Sequence, residues 1–298
     1  FFSMVTALFS VYAEGSVVLI SDDAKNEAHA QLIGALKQKL TDDGIAFEGL
    51  DLSAGGEVAG DVSGASAVVT VGTRASLYAV NNIKNVPVVF TMVLDPVAAG
   101  IVSSTDKPGG NITGVMLDIP FDMQFKSLKT ALPQVKTVGM LYDAKTQAAA
   151  KDRAAVAAEK AGLSLDARPV YTDSTIKVNI EKILESDDCL WAYPDSRVYN
   201  PQNAVDILTK TLAAKKPFFA FSIQMVKAGA LLGLERDYGD IGVQTVELVK
   251  KVLAGTAPGD LAVEGPRSVY FVINSKTEGL IGVSIASEVK ADRKTIKF

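Results

Sequence analysis

VPVVFTMVLDPVAAG (residues 86–100) and KPFFAFSIQMVKAGA (residues 216–230) are two stretches of this chain that follow the same plan. Each begins with a proline beside a short apolar run and ends with Val-x-Ala-Gly. Two further pairs of segments match in the same order, SVVLISDDAK (16–25) with TVGMLYDAK (137–145) and AVVTVGTRAS (67–76) with CLWAYPDSRV (189–198). One such match carries little weight, but three in one order indicate two like-folded halves.

Short β-branched runs alternate with helical patterns through both halves. VVLIS (17–21) has the composition of a buried strand, and the segment after it repeats Leu32, Leu36 and Leu40 on one helical face. Strands that alternate with helices form right-handed βαβ units on a parallel sheet. The sequence therefore predicts an α/β protein with two parallel-sheet lobes.

The last part of the chain predicts how the two lobes are joined. Residues 237–254 have a helical pattern, and 268–274 have a strand pattern. We expect the helix to return to the first lobe and the strand to the second, so that three chain crossings form a hinge. The predicted domains are an N-terminal segment (1–15), a first lobe (16–116 and 236–262) and a second lobe (117–235 and 263–298).

The composition is that of a folded chain with few residues suited to catalysis. Of 298 residues, 48% are hydrophobic and 21% are charged, so a large core can form. The net charge is −4 and no basic run indicates a nucleic-acid surface. A single cysteine, Cys189, and a single histidine, His29, leave no disulfide and few metal ligands. We therefore expect no enzymatic activity, cofactor, metal site or nucleic-acid partner.

The chain begins FFSMVTALFSVYAEG, a short apolar run followed by small and polar residues. This pattern is typical of the second half of a secretory signal peptide that ends near residue 13. The alternative is an amphipathic N-terminal helix. The run is shorter than the ~20 residues that a membrane span needs. If it is an export signal, the mature protein begins near Glu14 and is released as a soluble protein into a periplasm-like space.

Polar and aromatic residues follow the predicted strands at the ends where parallel α/β sheets bind ligands. Those of the first lobe are Ser21, Asp22, Gly72, Thr73 and Thr91. Those of the second lobe are Tyr142, Tyr193, Asp195, Ser196 and Ser222. Two such rims facing one another would enclose a cleft lined by hydroxyls, carboxylates and rings. We predict that this interlobe cleft binds the ligand.

Two of these positions suit the opposite ends of a zwitterion. In the TVGT turn, Thr73 can present its hydroxyl and amide to an anion, or it can simply cap its own helix. Asp195 can accept hydrogen bonds from an ammonium group, or it can act as a helix cap. An anion-binding helix start opposite a carboxylate is what an amino acid ligand requires. Nearby rings are candidates for a stacking wall or for the core: Phe90, Tyr142, Tyr193 and Phe221.

Seven segments, read in order, resemble one known family. They are SDDA, TVGTRAS, PVVFTMVLDPVAAGIV, KPGGNITGVMLDIP, WAYPDSRVYN, MVKAGALLGLERDYGDIG and FVIN. They are similar to the ABC-transporter substrate-binding protein family, which includes tryptophan- and tyrosine-binding receptors. The resemblance implies the periplasmic-binding-protein fold with two flavodoxin-like lobes, and delivery of the ligand to an ABC permease.

The resemblance also implies roles for individual residues. Thr73 would lie at the carboxylate site and Asp195 would be the amine partner, while Ser21, Asp22 and Ser222 occupy other matching rim positions. The implied ligand is an aromatic or apolar amino acid such as L-Trp, L-Tyr or L-Phe. We expect a monomer in the periplasm.

Two other classes of function remain open from the sequence. The same two-lobe fold serves as the ligand-sensing domain of regulators and receptors, but a repressor of that kind needs a helix-turn-helix ahead of the first strand. An enzyme on a flavodoxin-like scaffold is the other class, and the scarcity of His and Cys weighs against it.

Overall fold

The structure is a computed structural model that describes residues 15–21 and 27–298, and these residues divide into two units. Unit 1 comprises the described residues up to Asp118 together with Arg236–Ser268, and unit 2 comprises Ile119–Glu235 and Val269–Phe298. The chain thus passes between the units three times. The predicted export signal at residues 1–13 and the candidate Asp22 lie outside the described residues.

The third crossing follows Ser268, whereas the sequence placed it after residue 262. Hydrogen bonds within unit 1 account for the difference, because Val263 N donates to Thr105 O at 2.7 Å and Glu264 N to Gly114 O at 3.0 Å. These bonds keep the segment beside the last strand of unit 1. The segment carries no strand or helix pattern of its own, so the sequence did not indicate where it belongs.

Unit 1 contains one parallel sheet with strand order β2-β1-β3-β4-β5. Its strands are β1 (Val17–Ser21), β2 (Phe47–Asp51), β3 (Ala67–Val71), β4 (Val88–Val93) and β5 (Ile112–Met116). Its helices are α1 (Glu27–Asp42), α2 (Thr73–Asn82) and α8 (Tyr238–Leu253), with a 3₁₀ turn at Pro258–Asp260. Helices α1 and α8 cover one face of the sheet, and α2 covers the other.

Helices α1 and α8 pack closely along their length. Their buried side chains share one core cluster with β1, β3 and β4, because the leucine stripe of α1 faces the apolar stripe of α8. Gly242 lies against the α1 backbone, where an added Cβ would stand 2.7 Å from Leu32 O. Asp43 also joins the two helices, since it pairs with Lys39 at 2.6 Å and with Lys250 at 2.9 Å.

Unit 2 contains a seven-stranded sheet with strand order β12-β11-β10-β9-β8-β6-β7. Its strands are β6 (Thr137–Asp143), β7 (Ser164–Val170), β8 (Cys189–Trp191), β9 (Phe218–Ala220), β10 (Leu232–Arg236), β11 (Val269–Ile273) and β12 (Ile296–Lys297). Its helices are α3 (Phe121–Ala131), α4 (Ala148–Lys160), α5 (Asp173–Ser186), α6 (Pro201–Ala213), α7 (Ile223–Ala228), α9 (Ser275–Ile281) and α10 (Ser287–Ala291). Helices α3 and α4 cover one face of the sheet, and α5 and α6 cover the other.

Each sheet has one point where the winding changes direction. In unit 1, α1 leads from β1 outward to β2, whereas α2 leads from β3 the other way to β4. In unit 2, α4 leads from β6 to β7, whereas α6 leads from β8 to β9. Ligands of such sheets bind outside the carboxyl ends of the strands at these switch points. The predicted fold class, two α/β lobes with parallel sheets, is confirmed.

Candidate functional site

The switch point of unit 1 lies between the carboxyl ends of β1 and β3. Ser21 pairs with Val71, and Val71 pairs with Thr91, so these three residues form one row across β1, β3 and β4. Gly72 and Thr73 follow directly after this row. Four of the five candidates of the first lobe are therefore neighbours in the structure, and Asp22 lies outside the described residues.

The TVGT turn has a backbone that only glycine adopts readily. Gly72 has φ 101° and is the N-cap residue of α2. Thr73 is the first residue inside the helix, so the alternative in which Thr73 caps α2 is wrong. Within residues 15–21 and 27–298, no side chain caps α2 through a hydrogen bond, and the first turn of the helix contains no acidic residue. A helix start of this kind favours a negatively charged group.

Thr91 contributes its carbonyl to this turn, and its hydroxyl lies in the core. Gly72 N donates to Thr91 O at 2.9 Å, which fixes the turn to the next strand. The Thr91 side chain has no exposed surface, and its Oγ1 has no hydrogen-bond partner among the described residues. Ser21 Oγ is likewise enclosed, and the part of the chain that the structure describes supplies no partner for it. The half-buried Thr73 is thus the candidate whose side chain is most open at this edge.

The switch point of unit 2 carries a cavity of about 650 Å³. That volume is typical of small-molecule sites. The lining residues come from the segments after β6, β7 and β8: Asp143, Thr146, Gln147, Asp173, Pro194, Asp195, Ser196, Arg197 and Asn200. Three carboxylates against one guanidinium give this cavity an excess of negative charge, which favours a cationic group.

Asp195 organises the wall of the cavity through both of its carboxylate oxygens. Oδ2 accepts from Asp143 N at 2.8 Å, and Oδ1 accepts from Arg197 N at 2.9 Å and Val198 N at 3.0 Å. A carboxylate offers about four acceptor positions, so about one remains for a ligand. Asp195 caps a turn rather than a helix, because the N-cap of α6 is Asn200.

Asp143 and Arg197 form an ion pair in the cavity wall. Arg197 Nε donates to Asp143 Oδ2 at 2.8 Å, and Asp143 Oδ1 accepts from Lys145 N at 2.9 Å. The Lys145 amide, followed by the Arg197 guanidinium, holds the pKa of Asp143 below its usual value against the opposing effect of burial. Arg197 is a residue of the cavity wall that is not among the candidates predicted from the sequence. Its place two residues after Asp195 was the signal available.

The remaining candidates of unit 2 have different surroundings. Ser196 is exposed on the cavity wall, whereas Ser222 Oγ accepts from Met225 N and caps α7. Tyr142 and Tyr193 are half-buried and pack against the core cluster under α3 and α4. Ser222 therefore already has a structural hydrogen bond, while both tyrosines are only partly buried.

Two other rings, Phe90 and Phe221, are candidates from the sequence for a stacking wall or for the core. Phe90, in unit 1, has no exposed surface and belongs to the core, so it cannot form a ligand wall. Phe221, in unit 2, is half-buried, and its ring centroid lies 5.6 Å from that of Tyr199.

Residues 60–296 match a family described as ABC transporter substrate binding protein. A similar relative is the "Tyrosine-binding protein" of Clostridioides difficile (strain R20291), which is 28% identical over 216 residues. That match covers 70% of this chain and 61% of the relative, so the chain spans less than two thirds of that protein's length. In the part of the chain that the structure describes, no helix is long and apolar enough to cross a membrane.

Two solved structures have a similar fold over nearly the whole of this chain. One is the ligand-free, open structure of a substrate binding protein with adhesive properties from Clostridium difficile, with TM-score 0.72 and 20% identity, covering 95% of this chain and 99% of that one. Another is an ABC domain in complex with L-Trp from Streptococcus pneumonia, with TM-score 0.58 and 23% identity, covering 95% of this chain and 100% of that one. At these identities the likeness shows the fold.

Proposed function

Because this chain belongs to the ABC transporter substrate binding protein family, we propose that it captures a small amino acid outside the cytoplasm and delivers it to an ABC permease. It acts as a non-enzymatic receptor, exported as a soluble monomer into the periplasm, with no nucleic-acid partner and no cofactor. The observation that carries this proposal is the polar cavity at the switch point of unit 2. Its size and excess of carboxylates suit the ammonium end of such a ligand.

The two units supply complementary chemistry for a zwitterion. In unit 1, the α2 start with Gly72 as its cap and Thr73 as its first residue suits a carboxylate, with Ser21 beside it. In unit 2, Asp143 and Asp173 keep open acceptor positions toward the cavity, and Asp195 keeps about one. Taken by itself, unit 1 thus offers a place for a carboxylate, and unit 2 by itself offers a place for an ammonium group.

The proposed ligand is an aromatic or apolar amino acid, with L-Trp, L-Tyr and L-Phe as the first candidates. The relative from Clostridioides difficile is named for tyrosine binding, and the similar domain from Streptococcus pneumonia holds L-Trp. In this chain, Tyr142 and Tyr193 are half-buried at the same strand ends as the cavity. Such rings pack favourably against an apolar or aromatic side chain.

A thermal-shift panel on ligand-stripped protein tests this function. A ligand at about 100 times its Kd stabilises the folded state by roughly 2.7 kcal/mol. We expect a rise in Tm with L-Trp, L-Tyr or L-Phe and no rise with glucose, ribose or xylose. The D-enantiomer of the best amino acid is the matched control, since it presents the same groups in the wrong geometry. Failure of all twenty L-amino acids to raise Tm contradicts the proposal.

A further inference from the structure

Four aromatic rings of unit 2 form a continuous cluster beside the candidate cavity. Trp191 lies 4.7 Å from Phe125, 5.8 Å from Phe121 and 6.1 Å from Tyr193, measured between ring centroids. Phe121 and Tyr193 lie 5.2 Å apart with their planes inclined by 57°. Phe125 and Trp191 are fully buried, whereas Phe121 and Tyr193 are half-buried. The cluster therefore has a closed base and a partly open outer pair.

The base of this cluster is fixed by hydrogen bonds. Trp191 Nε1 donates to Gln124 Oε1 at 3.0 Å, and Gln124 Nε2 donates to Ile119 O at 2.8 Å. These bonds attach the end of β8 to the start of α3, the helix that begins with Phe121. On the outer side, the Arg153 guanidinium lies 5.8 Å from the Phe121 ring centroid. The outer rings thus rest on a prearranged support, which lowers the entropic cost of binding against them.

The outer pair lies at the strand ends that also form the cavity. Tyr193 precedes Pro194 and Asp195, two residues of the cavity wall, and Gln147 Nε2 donates to Pro194 O at 3.4 Å. Side chains alternate between the faces of a strand. The rings therefore lie toward the face under α3 and α4, beside the polar cavity. A ligand held in the cavity by its ammonium would have its side chain beside these strand ends.

We propose that Phe121, together with Tyr193, forms the wall against which the aromatic ring of the ligand packs. Phe121 is then a specificity-determining residue, since it favours a planar ring over a branched aliphatic side chain. This inference rests on the function proposed above. An aromatic ring of the ligand that packs edge-to-face against this wall should improve the affinity by about 2- to 13-fold. This gain comes on top of the effect of the apolar area that the ring buries.

The test compares L-Phe with L-Leu on the wild type and on Phe121→Leu by isothermal titration calorimetry. We expect the ratio of the two affinities to fall by about 2- to 13-fold in Phe121→Leu, because the planar partner is lost. Phe121→Tyr keeps the ring and should keep the ratio. Tyr270→Leu is the matched control, since Tyr270 is a half-buried ring of the same unit on β11, away from β8 in the sheet.

The single tryptophan of the chain gives a second, direct measurement. Trp191 packs against both rings of the wall, so a ligand bound there should change the fluorescence emission of Trp191. L-Phe is the suitable ligand, because it does not absorb at the red edge of tryptophan absorption and adds no emission of its own. If Phe121→Leu does not fold, Phe121→Met, which keeps the apolar volume, replaces it. An unchanged L-Phe to L-Leu ratio in a folded variant, or L-Phe binding without a change in emission, overturns the inference and leaves the proposed function standing. If the wild type binds no amino acid, the proposed function itself fails.

Discussion

The Nε of Arg197 donates to Oδ2 of Asp143 at 2.8 Å, and this pair joins the ends of two strands that are neighbours in the sheet but distant in the sequence. Asp143 ends β6, and Arg197 lies in the turn after β8. The same turn is tied back by Asp195, which accepts from the Asp143 amide. The shape of the cavity in unit 2 thus depends on three side chains acting together.

Asp143→Asn should weaken ligand binding and reduce stability. The substitution removes the charge that orients Arg197 and that faces the proposed ammonium group. A charge-assisted hydrogen bond contributes ~1.5–3 kcal/mol, so the affinity for the best amino acid should fall roughly 10- to 100-fold in calorimetry. Asp152→Asn, an exposed acid on α4, is the control and should leave affinity unchanged.

The contribution of Asp143 to the stability of the protein should decrease as the pH falls. The pKa of Asp143 is lower in the folded protein than in the unfolded chain, because the Lys145 amide and the Arg197 guanidinium favour its charged form. Its contribution to stability is therefore present above the unfolded pKa of about 3.9 and is lost as the pH falls through the lowered value. The Tm difference between wild type and Asp143→Asn should shrink below about pH 4. A difference that grows on acidification contradicts this account.

Gly242→Ala should destabilise unit 1. Alanine is favoured over glycine in a helix by ~1 kcal/mol, but the new Cβ would stand 2.7 Å from Leu32 O and 3.0 Å from Leu36 N. Contacts with backbone atoms cannot relax by a rotamer change, so α1 and α8 must separate at a cost of ~1–3 kcal/mol. Gly34→Ala on α1 is the matched control, because its added Cβ meets nothing within 4 Å. Denaturant titration should show lower stability for the first variant and equal or higher stability for the second.

Thr91→Val should leave stability unchanged or raise it, whereas Thr70→Val should lower it. Both threonines are fully buried on neighbouring strands. Thr70 Oγ1 lies 2.9 Å from Ser76 Oγ, whereas no residue of 15–21 or 27–298 hydrogen-bonds to Thr91 Oγ1. Valine has nearly the same shape, so the comparison isolates the hydroxyl. A lost hydrogen bond costs ~1 kcal/mol, while removing a buried hydroxyl without a partner costs nothing. Equal losses in the two variants, measured by thermal unfolding, contradict this explanation.

Cys189 should not react with thiol reagents in the native protein. The side chain is buried on β8, and burial raises its pKa to about 12. The thiolate is the reactive form, so a disulfide-exchange reagent at mildly alkaline pH should label nothing until denaturant is added. Labelling of the native protein at the rate seen in denaturant shows that β8 opens readily.

The sequence predicts the strands and the helix faces well where burial follows a simple period. Strands β1 and β3 have the bounds that the runs 17–21 and 67–71 predict. Helix α1 buries the leucine stripe that its pattern predicts. The pattern is less informative where a strand is buried on both faces. All six residues of β4 are buried, so the strand shows no alternation of polar and apolar residues. The sequence pattern therefore does not indicate whether Phe90 lies in the core or at the ligand-binding edge of the sheet.

The details of the candidate site depend on contacts that sequence does not display. The donors to Asp195 include the backbone amide of Asp143, which lies in a different βαβ unit. The wall pair of Phe121 and Tyr193 joins α3 to the end of β8 in the same way. The sequence also does not show whether Gly72 or Thr73 is the N-cap of α2. That depends on the positive φ of Gly72, which is a feature of the backbone.

The packing of α8 against α1 has a consequence for biosynthesis. The strands of unit 1 are synthesised early. Helix α8, which covers one face of their sheet together with α1, follows more than a hundred residues after β5. Until that helix has been made, apolar surface of α1 and of the sheet stays open to water while unit 2 is still being synthesised. Contacts between such distant parts of a chain form slowly. Unit 1 is therefore completed only after the segment Arg236–Ser268 has been synthesised.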